Sequence, residues 1–221
     1  MVKGILFDLE GTLVDTKPAY LLSMNKLLQR HGKEPVEKER FYDLFPRPNE
    51  EILSILGFRQ EEIEDAQKEL FEIGKEIIPK HLVVINSSPD VLKKASEKKK
   101  IAVVSNSREL IVRKSLETIG IDFLDALVCR GETKRIKPFP DPLLKACQKM
   151  GLKPGECAMI GDSKNDILAG KAAGVSKTVI VPYKERDLSV ISSWGADKIA
   201  KDLKEGVDWI AKQSSRKRQR S

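Results

Sequence analysis

From about residue 89 onward, short apolar runs alternate with stretches of helical periodicity, and this alternation constrains the fold most. Pro89 opens a helical pattern through Leu92 and Ala95. Ile101-Ala102-Val103-Val104 reads as a buried strand, and a helix follows from about Glu109 to Ile119, closed by Gly120. Then come a strand from Ala126 to Val128, a helix after Pro142, and a strand of Ala158-Met159-Ile160. A helix across Asp166 to Ala173 stops at Gly174, and Thr178-Val179-Ile180-Val181 reads as a further strand. A weak strand near Ile199 and a helix from Leu203 to Ala211 close the series. Strands separated by helices build βαβ units, hence an α/β fold: a parallel sheet with helices on both faces.

A first strand lies apart from this series. Lys3-Gly4-Ile5-Leu6-Phe7-Asp8-Leu9-Glu10-Gly11-Thr12-Leu13 is an apolar run that ends in one carboxylate, with a second two residues on. Gly11 lets the chain turn sharply there. Ligands of open α/β sheets collect at the carboxyl ends of strands. Asp8 and Glu10 would then stand together where chemistry occurs, although a surface turn with Glu10 in solvent also fits. Between this strand and the later series, the spacing predicts helices only. Asp15-Thr16-Lys17-Pro18 reads as a helix start, and the helix stops near Gly32. Phe41, Leu44 and Phe45 suggest a short helix, and Ile52 to Leu56 another, ended by Gly57. Ile63, Ala66, Leu70, Ile73, Ile77 and Ile78 give a long amphipathic helix broken by Pro79. Residues 17–80 therefore form an inserted all-helical block.

Composition narrows the classes. The net charge is +7, and four of those charges sit in Arg216-Lys217-Arg218-Gln219-Arg220. The rest of the chain is only mildly basic, which gives nucleic acid little support as a partner. The residues from about 213 to 221 are polar and basic and are expected to be a disordered tail. Cys129, Cys147 and Cys157 form no CxxC pair, which argues against a zinc site and for a reducing compartment. No apolar run approaches the roughly 18 residues of a membrane span. The expectation is a soluble, cytoplasmic protein without a membrane partner.

Four strand ends carry polar residues where apolar runs stop. They are Asp8 with Glu10; Ser105 with Asn106; Lys137 in Ile136-Lys137-Pro138; and Gly161-Asp162-Ser163-Lys164-Asn165-Asp166. A parallel sheet gathers such ends into one crevice. Clustered carboxylates repel and call for a cation, and a hard ion such as Mg²⁺ suits them. A lysine and a hydroxyl beside a turn amide suit a phosphate group. Taken singly, Asp162-Ser163 also fits a plain helix cap and Lys137 a solvated loop lysine.

These four segments, in this order, resemble the four motifs of the haloacid dehalogenase superfamily, in its phosphoglycolate-phosphatase-like branch, over about residues 3 to 182. The resemblance implies a Rossmann-like core from 1–16 and 81–212, with a helical cap at 17–80. It implies a Mg²⁺-dependent phosphatase acting on a small phosphorylated metabolite. Asp8 would be the nucleophile that forms an aspartyl-phosphate. Glu10 would be the general acid and base. Ser105, with the Asn106 amide nearby, would bind the phosphoryl group, and Lys137 would neutralise charge and orient Asp8. Asp8, the Glu10 backbone carbonyl and Asp162 would hold Mg²⁺, with Asp166 acting through water. Glu10 is the departure, because phosphatases of this family usually carry Asp there. A phosphomutase would use the same aspartyl-phosphate and stays open, and the longer side chain leaves open a phosphate- or partner-binding protein without turnover. Enolase-phosphatases of the superfamily also carry Asp-x-Glu-Gly-Thr, so Glu is compatible with catalysis.

The resemblance leaves substrate choice to the cap. Phe45-Pro46-Arg47-Pro48-Asn49 is the expected loop facing the site, with Arg47 on the far end of the substrate; an ordinary surface arginine is an equal reading. Asp15 and Thr16 are expected at the hinge between cap and core, where a helix cap accounts for them equally well. The oligomeric state is not legible in the sequence.

Overall fold

The computed structural model describes residues 1–45, 47–85, 87–183 and 187–216. The chain opens with β1 (Gly4–Phe7) and a short β2 (Val14–Asp15). Four helices follow: α1 (Lys17–Arg30), α2 (Lys38–Leu44), α3 (Asn49–Ile55) and α4 (Ile63–His81). Then come β3 (Val83–Val84), α5 (Ser88–Ser96), β4 (Lys100–Arg108), α6 (Glu109–Thr118) and β5 (Ala126–Arg130). The remainder runs α7 (Asp141–Lys149), β6 (Cys157–Gly161), α8 (Lys164–Ala173), β7 (Lys177–Ile180), α9 (Leu188–Ser193), β8 (Lys198–Ile199) and α10 (Leu203–Arg216).

Six strands form one parallel sheet in the order β5-β4-β1-β6-β7-β8. The register explains why these strands read as continuous apolar runs. Phe7 lies beside Val103 and Ile160, and these three face one apolar cluster with α5, α6 and α10. Leu6 lies beside Ala102 and Met159, which face a second cluster with α7 and α8. Both faces are covered, so alternate residues are all apolar. The chain leaves β1 for β4 on one side and later returns to β6 on the other. Their carboxyl ends flank β1 at the switch point, where such sheets bind ligands.

Helices α1–α4 have their own apolar cluster, built on Leu27, Phe41, Leu53 and Leu70. Ala19 of α1, Ile78 of α4 and Ile111 of α6 pack together and join this block to the sheet. The chain enters and leaves the block through β2 and β3, which pair antiparallel.

Three sequence expectations need correction. Pro79 does not break α4, which continues to His81. Proline supplies no N–H to the carbonyl four residues back, and the Lys114 ammonium reaches that Lys75 carbonyl instead, at 3.4 Å. The tail expected to be disordered from 213 is helical through Arg216, because α10 runs on; residues 217–221 lie outside the described residues. Strand β4 does not stop at Val104 but extends to Arg108, with an irregular register between the two. The β2–β3 ribbon and α9 were not expected; two-residue strands and a six-residue helix carry too little periodicity to read.

Candidate active site

The site begins where β1 ends. The Asp8 N–H donates to the Ile160 carbonyl at 2.9 Å, which continues the β1–β6 ladder by one residue. Its carboxylate then turns back, and Oδ1 accepts the Leu9 N–H at 2.7 Å. Two glycines let other carboxylates come close. Gly11 has φ +79°, and a Cβ there would lie 2.3 Å from Asp162 Oδ2. A Cβ on Gly161 would lie 2.3 Å from Asp166 Cγ. Neither position has room for a side chain.

Lys137 ties the cluster together. It comes from the segment between β5 and α7 and is 3% exposed. Its ammonium lies 2.7 Å from Asp8 Oδ1 and 2.8 Å from Asp166 Oδ1, and donates to the Val104 carbonyl at 2.8 Å. All three ammonium protons thus have acceptors. Asp166 is fixed from its other oxygen: Oδ2 accepts the Ser163 N–H at 3.0 Å and the Ser163 hydroxyl at 2.6 Å. Burial alone would lower the Lys137 pKa, but attraction to Asp166 and Asp8 outweighs it and holds the group above the ordinary lysine range. Asp8 moves well above the usual carboxylate range, first through burial and then through the Asp166 charge; Lys137 opposes, while Glu10 and Asp162 add to the rise.

Glu10 stands at the mouth of this cluster. Its Oε2 accepts the Ser105 hydroxyl at 2.9 Å, and the Ser107 N–H donates to Ser105 Oγ at 3.0 Å. Glu10 Oε1 is buried and has no hydrogen-bond partner among the described residues. Asn106, expected near the phosphoryl group, turns its side chain onto the Lys137 peptide. Nδ2 donates to the Lys137 carbonyl, and Oδ1 accepts the Lys137 N–H, both at 3.0 Å.

Carboxylate oxygens of Asp8, Asp162 and Asp166 all lie within 4.8 Å of one another. One ammonium bridges two of these three buried acids, and burial together with the neighbouring acid charges lifts Asp8. This donor set is hard, oxygen-only and short of positive charge, so it fits a cation such as Mg²⁺.

Beyond the cluster lies a cavity of about 600 Å³ between the helical block and the sheet. Asn106, Ser107, Arg108 and Arg130 line it from the sheet side. Arg47 lines it from the helical side and pairs with Glu51 of α3; Pro46 of the same loop lies outside the described residues. Tyr20 of α1 also lines it, with its hydroxyl pKa pushed up to about 12 by burial and then by Glu10. At the β2 crossing, Asp15 accepts the Lys17 N–H at 3.0 Å and the Tyr183 hydroxyl at 2.8 Å, while Thr16 caps α1 without a side-chain bond.

Sequence reasoning missed Arg108, Arg130, Tyr20 and Tyr183, while Ser163 caps α8 as one of its readings had it. Arg130 had a signal: it ends β5 as Asp8 follows β1, but the strand was expected to stop at Val128. Tyr183 and Asp15 are too far apart in sequence for any local pattern to join them.

The family model for haloacid dehalogenase-like hydrolases matches residues 5–181. The chain is 30% identical over 217 residues to N-acetylmuramic acid 6-phosphate phosphatase of Pseudomonas aeruginosa, covering 94% of each. It is 29% identical to phosphoglycolate phosphatase of Chromobacterium violaceum, over 94% of this chain and 96% of that one. A haloacid dehalogenase-like family hydrolase of Streptococcus pneumoniae has the same fold, with a TM-score of 0.81 at 18% identity over 95% of this chain and 98% of that one. Among the described residues no helix is long and apolar enough to cross a membrane. With the family match covering β1 to the end of β7 and the acids at the strand ends, the chain belongs to the haloacid dehalogenase-like hydrolases.

Proposed function

We propose that this protein is a Mg²⁺-dependent phosphatase that hydrolyses a small phosphorylated metabolite through a phosphoryl group carried on Asp8. The observation that carries this reading is the Lys137 bridge. It holds a buried carboxylate at a strand end, at 2.7 Å, beside two further acids. The names of the relatives, both phosphatases of phosphorylated small molecules, support the same reading.

The Leu9 N–H and the Lys137 ammonium both fall on Asp8 Oδ1. Oδ2 is therefore the oxygen left to attack phosphorus. As the Asp8 Oδ2–P bond forms, the bond from phosphorus to the leaving oxygen breaks, and Glu10 gives that oxygen a proton. Glu10 then takes a proton from water, whose oxygen attacks phosphorus. The bond to Asp8 breaks and inorganic phosphate departs. Glu10 Oε1, buried and without a hydrogen-bond partner among the described residues, is suited to both proton transfers. Ser105 would offer its hydroxyl to a phosphoryl oxygen in place of Glu10. Asp8, Asp162 and the Glu10 carbonyl would hold Mg²⁺, with Asp166 acting through water; the ion screens phosphoryl charge. Helices α1–α4 serve as the cap, and Arg47 reaches the far end of the substrate from it.

Phosphate release from a panel of phosphate monoesters, with and without Mg²⁺, tests the reading. Asp8→Asn should abolish release, and Glu10→Gln should lower kcat by about 10²–10⁴-fold. Turnover that survives Asp8→Asn refutes it. A mutase would consume a sugar phosphate without releasing phosphate in equal amount.

A further inference from the structure

Two cations, Arg108 and Arg130, stand together at the rim of the cavity. Arg108 ends β4 and Arg130 ends β5, and they are direct partners in the register of two neighbouring strands. Both side chains are exposed, and like charges side by side on neighbouring strands repel, less so where solvent screens them. The other cations of the cavity wall are neutralised: Arg47 by Glu51, and Lys68 by Glu64 and by Asp65 at 3.2 Å. Arg108 and Arg130 have no carboxylate partner among the described residues. Arg108 is held instead over the Phe71 ring of α4, 4.3 Å from its centre. That contact fixes the guanidinium without cancelling its charge.

The pair is also placed where a substrate would end. Ser105 and Arg108 belong to the same strand, three residues apart, so their backbones are at most about 10 Å apart along β4. Asn106 and Ser107, between them, line the cavity. A molecule with its phosphate at Asp8 would extend past Ser107 toward both guanidiniums.

We propose that Arg108 and Arg130 form a subsite for a second anionic group. The substrate is then a phosphate monoester whose leaving group carries a carboxylate or a further phosphate. This rests on the phosphatase reading for the position of the first anion. It adds two core arginines without a carboxylate partner among the described residues to the cap arginine Arg47, which is paired with Glu51, at the far end of the substrate.

Non-hydrolysable analogues separate binding from turnover. Calorimetric titrations at fixed free Mg²⁺ would compare phosphonoacetate, 3-phosphonopropionate and methylenediphosphonate with ethylphosphonate, which has no second charge. The wild-type protein should bind one charged analogue at least about tenfold more tightly than ethylphosphonate. Preference for a carboxylate analogue or for the diphosphonate identifies the second anion. In Arg108→Gln and Arg130→Gln the preference should shrink to about threefold or less, and in Arg108→Lys and Arg130→Lys part of it should return. Equal affinity for all four probes, no binding of any, or a preference that survives both glutamine variants overturns the proposal. Phosphate release from 2-phosphoglycolate and ethyl phosphate would be measured beside the titrations. Release without charge preference refutes the subsite alone, whereas charge preference without release refutes the phosphatase reading alone.

Discussion

Asn106 gives the sharpest test of how this site is held. Its side chain makes two hydrogen bonds of 3.0 Å, both to the peptide of Lys137 and none to another side chain. Asn106→Ala removes both. Each such bond contributes about 0.5–1.5 kcal/mol net, so the loss should be about 1–3 kcal/mol. It falls at the upper end if the Lys137 N–H and carbonyl stay dry. Both Trp194 and Trp209 lie outside the helical block, so urea unfolding followed by tryptophan fluorescence reports on the sheet. The consequence for catalysis follows from Lys137. Its ammonium must meet Asp8, Asp166 and the Val104 carbonyl at once, each within 2.8 Å. A shift of about 1 Å in its backbone breaks that set, and a misplacement of this size can lower kcat by about a hundredfold. KM should move little, because Asn106 turns its amide to the protein rather than to the substrate. In Asn106→Asp one oxygen still accepts the Lys137 N–H while the other faces the Lys137 carbonyl, so this variant should be no better than alanine. If Asn106→Ala keeps its unfolding midpoint and raises KM at unchanged kcat, Asn106 acts on substrate and the argument is wrong.

Other consequences can be checked as directly. Lys137→Met leaves the buried Asp8 and Asp166 carboxylates without their cation and should destabilise the metal-free protein by about 3–5 kcal/mol; an unchanged melting temperature in chelator would refute the bridge. Gly11→Ala should cost about 1–2 kcal/mol for its positive φ and push Asp162 aside, raising the Mg²⁺ concentration needed for half-maximal activity; an unchanged Mg²⁺ titration counts against the Asp162 site. All three cysteines are buried, and burial pushes the Cys129 thiol up to about 12. An aromatic disulfide reagent at pH 8 should therefore label none of them in the folded protein and all three after unfolding, and fast labelling of the native state would show an unexpected opening.

The legible parts of the molecule were those that repeat a local pattern. Leu6 and Phe7 face opposite clusters, so the run containing them is apolar throughout and reads as a buried strand. Asp8, Ser105 and Asp162 were found because each breaks such a run at its carboxyl end. Their convergence follows from parallel topology alone. The partnerships were not legible. Nothing in the spacing says that Asn106 clasps the Lys137 peptide, since the contact spans 31 residues of sequence. Nor does it show that Lys114 compensates for Pro79 across 39 residues. Such contacts depend on how helices settle against the sheet, which local periodicity does not encode.

The two halves of the site are built on different principles, and this bears on the Glu10 substitution. Each group at the strand ends is anchored to a peptide: Asp8 to the Leu9 N–H, Ser105 to the Ser107 N–H, Asp166 to the Ser163 N–H and Lys137 to the Val104 carbonyl. Backbone anchors fix positions without regard to what fills the cavity. Glu10 differs. Among the described residues its carboxylate holds only the Ser105 hydroxyl, at 2.9 Å, and its second oxygen is buried without a donor. An unsatisfied buried carboxylate oxygen costs about 1–3 kcal/mol or more. A proton on Glu10, or a donor from water or a leaving group, removes that penalty. Glutamate is one methylene longer than aspartate, and from the turn after β1 it meets Ser105 on β4. Binding of a phosphoryl group at Ser105 would break this bond and release the carboxylate toward the leaving oxygen. On the proposed mechanism the glutamate would not mark a lost activity; it would couple arrival of the phosphate to freeing of the proton-transfer group.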